Sequence, residues 1–388
     1  MNQNTIAKTN PLLELAKFGQ SIWLDYTRRD LVQNGELRRL IEEDGLRGMT
    51  SNPAIFEKAI IGSQLYEEDI RTMTLNGESP ERLYEALSQH DIQGAADEFR
   101  SVYDKTDAAD GYVSLEVNPH LAHDTKGTVA EARRLWHALN RPNVFIKVPA
   151  TAEGLPAIQE LISEGININI TLLFGLPRYR QVAEAYIAGI EERLAQGKPV
   201  GRVASVASFF LSRIDTLIDP ILQKLIKRNG PEAEIARKLR GEVAISSAKV
   251  AYQNYKERFR GERFQKLADR GARVQRLLWA STSTKNPDYG DLQYVEPLIG
   301  ADTINTVTIE TLDAFRDHGK PRASLDQDFE QARQLLERLP ELGINIHPLT
   351  QQLEDEGVEK FNQAFDKLLG ALSERRRHIL SQKKEKAA

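Results

Sequence analysis

The stretch NVFIKVPAT, residues 143–151, places Val144, Ile146 and Val148 on one face of an extended chain and Lys147 on the other. An apolar run this short reads as a strand, and its lysine needs an interior that will receive an amine. Seven further segments share the length and the alternation: SIWLDY (21–26), GLRGMTSN (45–52), GYVSLEVN (111–118), NINITLLF (167–174), VASVASFF (203–210), VQRLLWAS (274–281) and TINTVTI (303–309). Amphipathic stretches with helical spacing separate them. Strands alternating with helices predict an α/β fold with a parallel sheet, and eight such units are the number that closes a (β/α)8 TIM barrel of about 250 residues before insertions. A doubly wound open sheet is the competing architecture. Alternate positions favour the barrel, because Asp25, Asn52, Glu116, Lys147, Asn169 and Ser208 share one polar phase, while Leu115, Val117, Ile146, Val148, Ile168 and Ile170 share the opposite one. A closed barrel gives the polar groups one destination.

The 388 residues read as a single catalytic domain, 1–388, with a helical insertion at about 224–272 and a helical C-terminal extension at about 315–380. RDLVQNGELRRLIEEDG (29–45) reads as one helix whose Leu31, Leu37, Leu40 and Ile41 form an apolar side before Gly45. The closing SQKKEKAA (381–388) is polar enough to be disordered.

Lys147 carries the first chemical reading. A free lysine amine, with a pKa of about 10.4, is neutral in only about 0.1% of molecules at a pH of about 7.4. Lowering that pKa by about three units is worth roughly 4 kcal/mol, which a desolvated interior can supply. The neutral amine attacks a carbonyl, and the protonated imine then accepts electrons as an adjacent carbon–carbon bond breaks. The plain alternative is a structural lysine paired with Glu116 or Asp25. Those two acids fall near the C-terminal ends of their strands, where barrel active sites lie, and suit proton transfer or service as counter-ions and strand-end caps.

In GININITLLF (165–174), Asn167, Asn169 and Thr171 share the inward face, either to bind sugar hydroxyls and a catalytic water or to satisfy one another in the core. Asn52 either meets a ligand or forms the turn before Pro53. SFFLSRID (208–215) supplies Ser208 and Arg213, and WASTSTKNP (279–287) supplies Ser281 and Lys285, as phosphate donors after the sixth and seventh strands. A solvated arginine on a helix is the competing reading.

Composition limits the rest. With 40% hydrophobic and 28% charged residues the chain has the make-up of a globular protein. A formal charge of −4 gives no global reason to expect nucleic acid, and RRRHILSQKK (375–384) reads as a solvated helix end without interleaved aromatics. The absence of cysteine excludes disulfides, thiolate metal sites and cysteine nucleophiles, and suits a cytoplasmic location. No stretch offers about 18 uninterrupted apolar residues, so no membrane partner is expected. MNQNTIAKTNPLLELAKF lacks the basic region and continuous apolar core of a secretion signal. Neither a P-loop nor GxGxxG occurs, and His120 and His123 lack a third ligand, so no cofactor and no metal are expected.

The segments TSNPAIF (50–56), SLEVNP (114–119), VFIKVPAT (144–151), GININITLLF (165–174) and ASFFLSRID (207–215), in this order, closely resemble the motifs of the transaldolase family. The resemblance implies a (β/α)8 barrel that works without metal or organic cofactor. It implies transfer of dihydroxyacetone from sedoheptulose 7-phosphate to glyceraldehyde 3-phosphate, in the non-oxidative pentose phosphate pathway. By the same resemblance Lys147 is the Schiff-base lysine, Asp25 handles the sugar hydroxyl proton, and Glu116 acts through a water beside Thr171. Asn52 and Asn169 then contact the dihydroxyacetone unit, and Ser208 and Arg213 fall in the phosphate region. The family's ASFRN motif reads ASTSTKN here (280–286), so the roles of Ser281 and Lys285 do not carry over directly. Asn118 stands where shorter transaldolases have aspartate, and the insertion with the long tail resembles the longer bacterial branch. The nearest rival is a fructose 6-phosphate aldolase, a branch that usually has glutamine in place of Glu116. A catalytically silent sugar-phosphate-binding barrel is the reading from another class. Sugar phosphates are the expected partners, and assembly into a homo-oligomer stays open.

Overall fold

Eight strands form where the alternation places them: β1 (Gln20–Asp25), β2 (Gly48–Thr50), β3 (Tyr112–Glu116), β4 (Val144–Pro149), β5 (Ile168–Leu173), β6 (Ser205–Phe210), β7 (Arg276–Ala280) and β8 (Thr303–Val307). They pair in sequence order into a closed barrel, all neighbours parallel, with β8 returning to β1 from Gln20↔Thr303 to Leu24↔Val307. This closure, seen in a computed structural model that describes residues 10–387, decides against the open sheet.

The two phases of the strands go where physical chemistry sends them. Leu115, Val117, Ile146, Val148, Ile168 and Ile170 are each at most 2% exposed. Residues of this phase pack outward, under helices such as Thr125–Leu139 and Gly154–Glu164. Glu116 pairs in register with Lys147, and Lys147 with Asn169, so three polar residues form one row inside the barrel. Below this row, toward the strands' N-terminal ends, aromatic rings fill the interior. Tyr112 stacks on Phe145 at 4.3 Å and Phe145 on Trp23 at 6.2 Å. A Cβ on Gly48 would lie 2.5 Å from the Trp23 ring, so the indole occupies the space that a side chain on β2 would need. These rings separate the polar row from a second cavity of about 570 Å³ at the N-terminal ends of the strands, lined by Trp23, Tyr112 and Phe145 among others.

Several local expectations are corrected. Residues 29–45 form two helices, Arg29–Gln33 and Glu36–Glu43, because Gly35 adopts φ +80° and breaks the run. Their Leu31, Leu37 and Leu40 are buried as the apolar spacing required. Residue 224 lies inside the helix Ser212–Arg228, and Ala233–Leu239, Val243–Phe259 and Glu262–Ala268 follow it before β7. A second expansion, between β2 and β3, comprises Pro53–Ile61, Glu67–Leu75, Pro80–Glu98 and Arg100–Lys105.

After β8, Ile309–His318 covers the barrel wall, and the extension proper consists of Phe329–Glu337 and the 42-residue helix Ile346–Ala387. That helix runs through the polar stretch expected to be disordered as far as Ala387; Ala388 lies outside the described residues, as do residues 1–9 of the N-terminal stretch. Its basic end is pinned as well as solvated: Arg375 donates to the carbonyls of Ile60 and Ile61, and Arg376 to that of Glu78. Among the described residues no helix is long and apolar enough to cross a membrane.

Candidate active site

Lys147 projects from β4 into the barrel, 4% exposed, because its strand buries Ile146 and Val148 on the other side. Its Nζ donates to the carbonyl of Ser51 at 2.9 Å and lies 3.4 Å from Glu116 Oε2. That carboxylate is itself 6% exposed, and neither of its oxygens has a hydrogen-bond partner. Burial pushes the Glu116 carboxyl up to about 7, against the opposing pull of Lys147. Thr171, paired with Pro149 across β4 and β5, has a buried hydroxyl oxygen with no partner either. Such unpaired polar atoms are costly in a core and are expected where a ligand or water completes them.

Asp25 ends β1 and accepts from Thr50 Oγ1 at 2.7 Å, and Thr50 in turn meets Thr306 Oγ1 at 2.8 Å. Burial raises the Asp25 pKa, while Lys147 and the Thr50 hydrogen bond lower it. Asp25 and Lys147 line one cavity of about 580 Å³ at the C-terminal ends of the strands. Asn52, Thr171, Ser208, Arg213, Ser281 and Lys285 line it too. Asn52 is also the N-cap of Pro53–Ile61, its side chain accepting from Ile55 N at 3.1 Å, so the turn reading and the cavity position both hold.

Two of the cations that line the cavity, Arg213 and Lys285, follow β6 and β7. Arg213 stands in the first turn after β6, and its Nη1 is buried without a partner. Burial lowers the pKa of Arg213, and burial followed by the neighbouring Arg213 lowers that of Lys285. Two partly desolvated cations that repel each other are stabilised by an anion between them. Ser281, held at φ +53°, shares a 2.9 Å hydrogen bond with Ser212 Oγ.

Asn169 sits in register with Lys147 inside the barrel. It is fully buried, donates to Ser114 Oγ at 3.1 Å and accepts from Ser208 Oγ at 2.7 Å. Its amide braces Ser208 beneath Lys147 and does not line the cavity. Asn167 likewise serves structure, donating to the carbonyls of Pro142 and Val144. His120 and His123 are exposed and face separate carboxylates, Asp366 and Glu153.

The cavity also holds residues that sequence reasoning missed. Thr50 and Thr306 could have been found from parity, since they lie in register with Asp25 and Trp23 on the inward phase. Phe361 had no such signal. It belongs to the C-terminal helix, which crosses the barrel mouth, and its ring centroid lies 6.0 Å from Lys147 Nζ. Leu172, in a left-handed conformation at the register shift in β5, meets that helix at Gly357, where a Cβ would lie 2.9 Å from Leu172 Cδ2.

A family model for "Transaldolase/Fructose-6-phosphate aldolase" matches residues 22–372. The chain belongs to the transaldolase family. Transaldolase 2 of Nostoc punctiforme is 47% identical over 372 residues, covering 95% of this chain and 98% of that protein. The transaldolase of Trichodesmium erythraeum is 46% identical over 371 residues, covering 95% and 98%. That of Thiobacillus denitrificans is 46% identical over 359 residues, covering 92% and 98%. Against this family background the matched span runs from β1 into the C-terminal helix, so the helix that carries Phe361 falls within the transaldolase match.

Proposed function

We propose that Lys147 is the nucleophile through which this transaldolase moves a dihydroxyacetone unit between sugar phosphates. The observation that carries the reading is Lys147, 3.4 Å from the buried Glu116 and near enough to Asp25 to lower its pKa, in a cavity that Asp25, Arg213 and Lys285 also line. The reaction is the transfer from sedoheptulose 7-phosphate to glyceraldehyde 3-phosphate, giving erythrose 4-phosphate and fructose 6-phosphate.

The Lys147 amine adds to the ketose C2 carbonyl, and loss of water leaves a protonated imine. Asp25 takes the proton from the C4 hydroxyl as the C3–C4 bond breaks, and the bonding electrons pass into the imine to leave an enamine. The aldose phosphate departs. The enamine carbon then attacks the aldehyde of the acceptor, Asp25 returns a proton to the new hydroxyl, and hydrolysis frees the lysine. Glu116 and Thr171 orient the water that enters and leaves at the imine carbon, a task suited to a carboxyl that titrates near 7. Asn52 binds hydroxyls of the three-carbon unit, with Asn169 holding Ser208 in place. Arg213, Lys285 and Ser281 receive the phosphate. Phe361 covers the lysine and limits access of bulk water. We place the enzyme in the cytoplasm, where the substrates are made and a chain without cysteine loses nothing to the reducing poise.

Incubation with fructose 6-phosphate and borohydride, followed by intact mass and peptide mapping, tests the reading. A reduced three-carbon adduct on Lys147, absent from Lys147→Ala, is expected; an adduct elsewhere, or activity retained in the variant, overturns it. Product assays with and without glyceraldehyde 3-phosphate separate transfer from release of free dihydroxyacetone, the reaction of a fructose-6-phosphate aldolase.

A further inference from the structure

The helix that begins just after β6 with Ser212 and Arg213 carries two buried acids one turn apart, Asp215 and Asp219, 1% and 7% exposed. A buried carboxylate is costly unless donors surround it. Their donors come from two other parts of the chain. Asp215 accepts from Ala244 N at 2.8 Å and from the Tyr294 hydroxyl at 2.9 Å. Asp219 accepts from Gly241 N at 3.0 Å and from the Tyr289 hydroxyl at 2.7 Å. The amides belong to the insertion between β6 and β7, and the tyrosines belong to the loop between β7 and β8.

That loop is the one that carries Ser281 and Lys285 to the cavity. Tyr289 is tightly seated. A Cβ on Gly241, which has φ +77°, would lie 2.8 Å from its Cζ, and the Arg240 guanidinium lies 5.3 Å from its ring centroid. Arg240 also pairs with Asp288 at 2.7 Å. Within the loop, Thr284 Oγ1 donates to the Gly290 carbonyl at 2.8 Å, and Lys285 Nζ to Ser283 Oγ at 2.6 Å. The same helix therefore presents Arg213 to the cavity and, through its two acids, anchors the loop that presents Lys285.

We propose that Asp215 and Asp219, acting through Tyr294 and Tyr289, are positioning residues that hold Lys285 and Ser281 near Arg213 and so set affinity for the phosphate end of the substrates. The proposal rests on the phosphate site described above, and it gives the insertion a task, since Gly241 and Ala244 complete the anchor.

Steady-state kinetics of the full-length enzyme, with fructose 6-phosphate and with unphosphorylated fructose as donors, test it. Tyr289→Phe removes one hydroxyl and keeps the ring. It is expected to raise KM for fructose 6-phosphate about fivefold to tenfold, in the range of one ordinary hydrogen bond, with kcat held within about twofold. The kcat/KM for fructose stays unchanged, and the substitution adds nothing in a Lys285→Ala background, as expected for two residues that act as one unit. Tyr294→Phe serves as the second probe and is expected to behave alike. Equal losses on both donors, an additive loss in the Lys285→Ala background, or unchanged KM in both tyrosine variants would overturn the proposal alone. If Lys285→Ala itself leaves the ratio of the two donors unchanged, the phosphate site is misplaced and the proposal falls with it.

Discussion

Replacing Glu116 by glutamine changes how stability depends on pH, and the direction of the change is diagnostic. The folded Glu116 carboxyl titrates at about 7 against an ordinary 4.5, chiefly because burial removes it from water, and Lys147 recovers only part of that cost. A group whose folded pKa is raised binds its proton more tightly in the folded state. Its contribution is therefore fully present below about 4.5 and is lost as pH rises through about 7. The gap corresponds to about 3 kcal/mol. Urea unfolding of wild type and Glu116→Gln at intervals between about pH 4.5 and 8.5 isolates the effect, since groups unconnected with Glu116 cancel in the difference. Wild type should lose up to about 3 kcal/mol relative to the variant across that window and then level off. A difference that is flat, or that grows in favour of wild type as pH rises, would mean that Glu116 is an ordinary ion-paired carboxylate. The assignment of a neutral-range acid beside Lys147 would then be refuted.

Other perturbations test other parts of the structure. Phe361→Ala removes the ring over Lys147; it should cost about 3 kcal/mol of stability and raise the fraction of donor released as free dihydroxyacetone, measured by product analysis with acceptor present. Gly48→Ala drives a methyl group into the fully buried Trp23 ring and should cost about 1 to 3 kcal/mol, seen as a lowered thermal midpoint; an unchanged midpoint would mean that the barrel floor yields easily. Arg213→Ala should raise KM for phosphorylated donors by at least about tenfold while borohydride still traps the imine on Lys147, because on the proposed mechanism this cation receives the phosphate and takes no part in bond cleavage.

The strands and the lysine were legible because their signals are local. Alternation along six or so residues fixes which side chains share a face, and that face must point inward once a barrel closes. Hence Asp25, Glu116, Lys147, Thr171 and Ser208 could be assigned to one interior before any contact was seen. The same parity would have found Thr50 and Thr306, which were passed over because each is a neutral hydroxyl with no chemistry of its own. Helix boundaries were less legible. Residues 29–45 have the apolar spacing of one helix, and only the left-handed turn at Gly35 divides them.

Which polar residues touch the cavity, and which only support those that do, depends on distances between strands. Asn169 has the inward phase of a ligand contact, yet Ser114 and Ser208 on neighbouring strands satisfy its amide. Phe361 lies in the C-terminal helix, and Asp215 and Asp219 lie on the helix after β6. Their actual partners lie far away in the chain, across the barrel mouth or in the loop after the next strand. By itself the sequence determined the barrel, its polar interior and the amine at its centre, because periodicity and burial are short-range. Only the tertiary structure decided what covers that amine and what anchors the loop between β7 and β8, because those contacts join segments whose meeting no local pattern encodes.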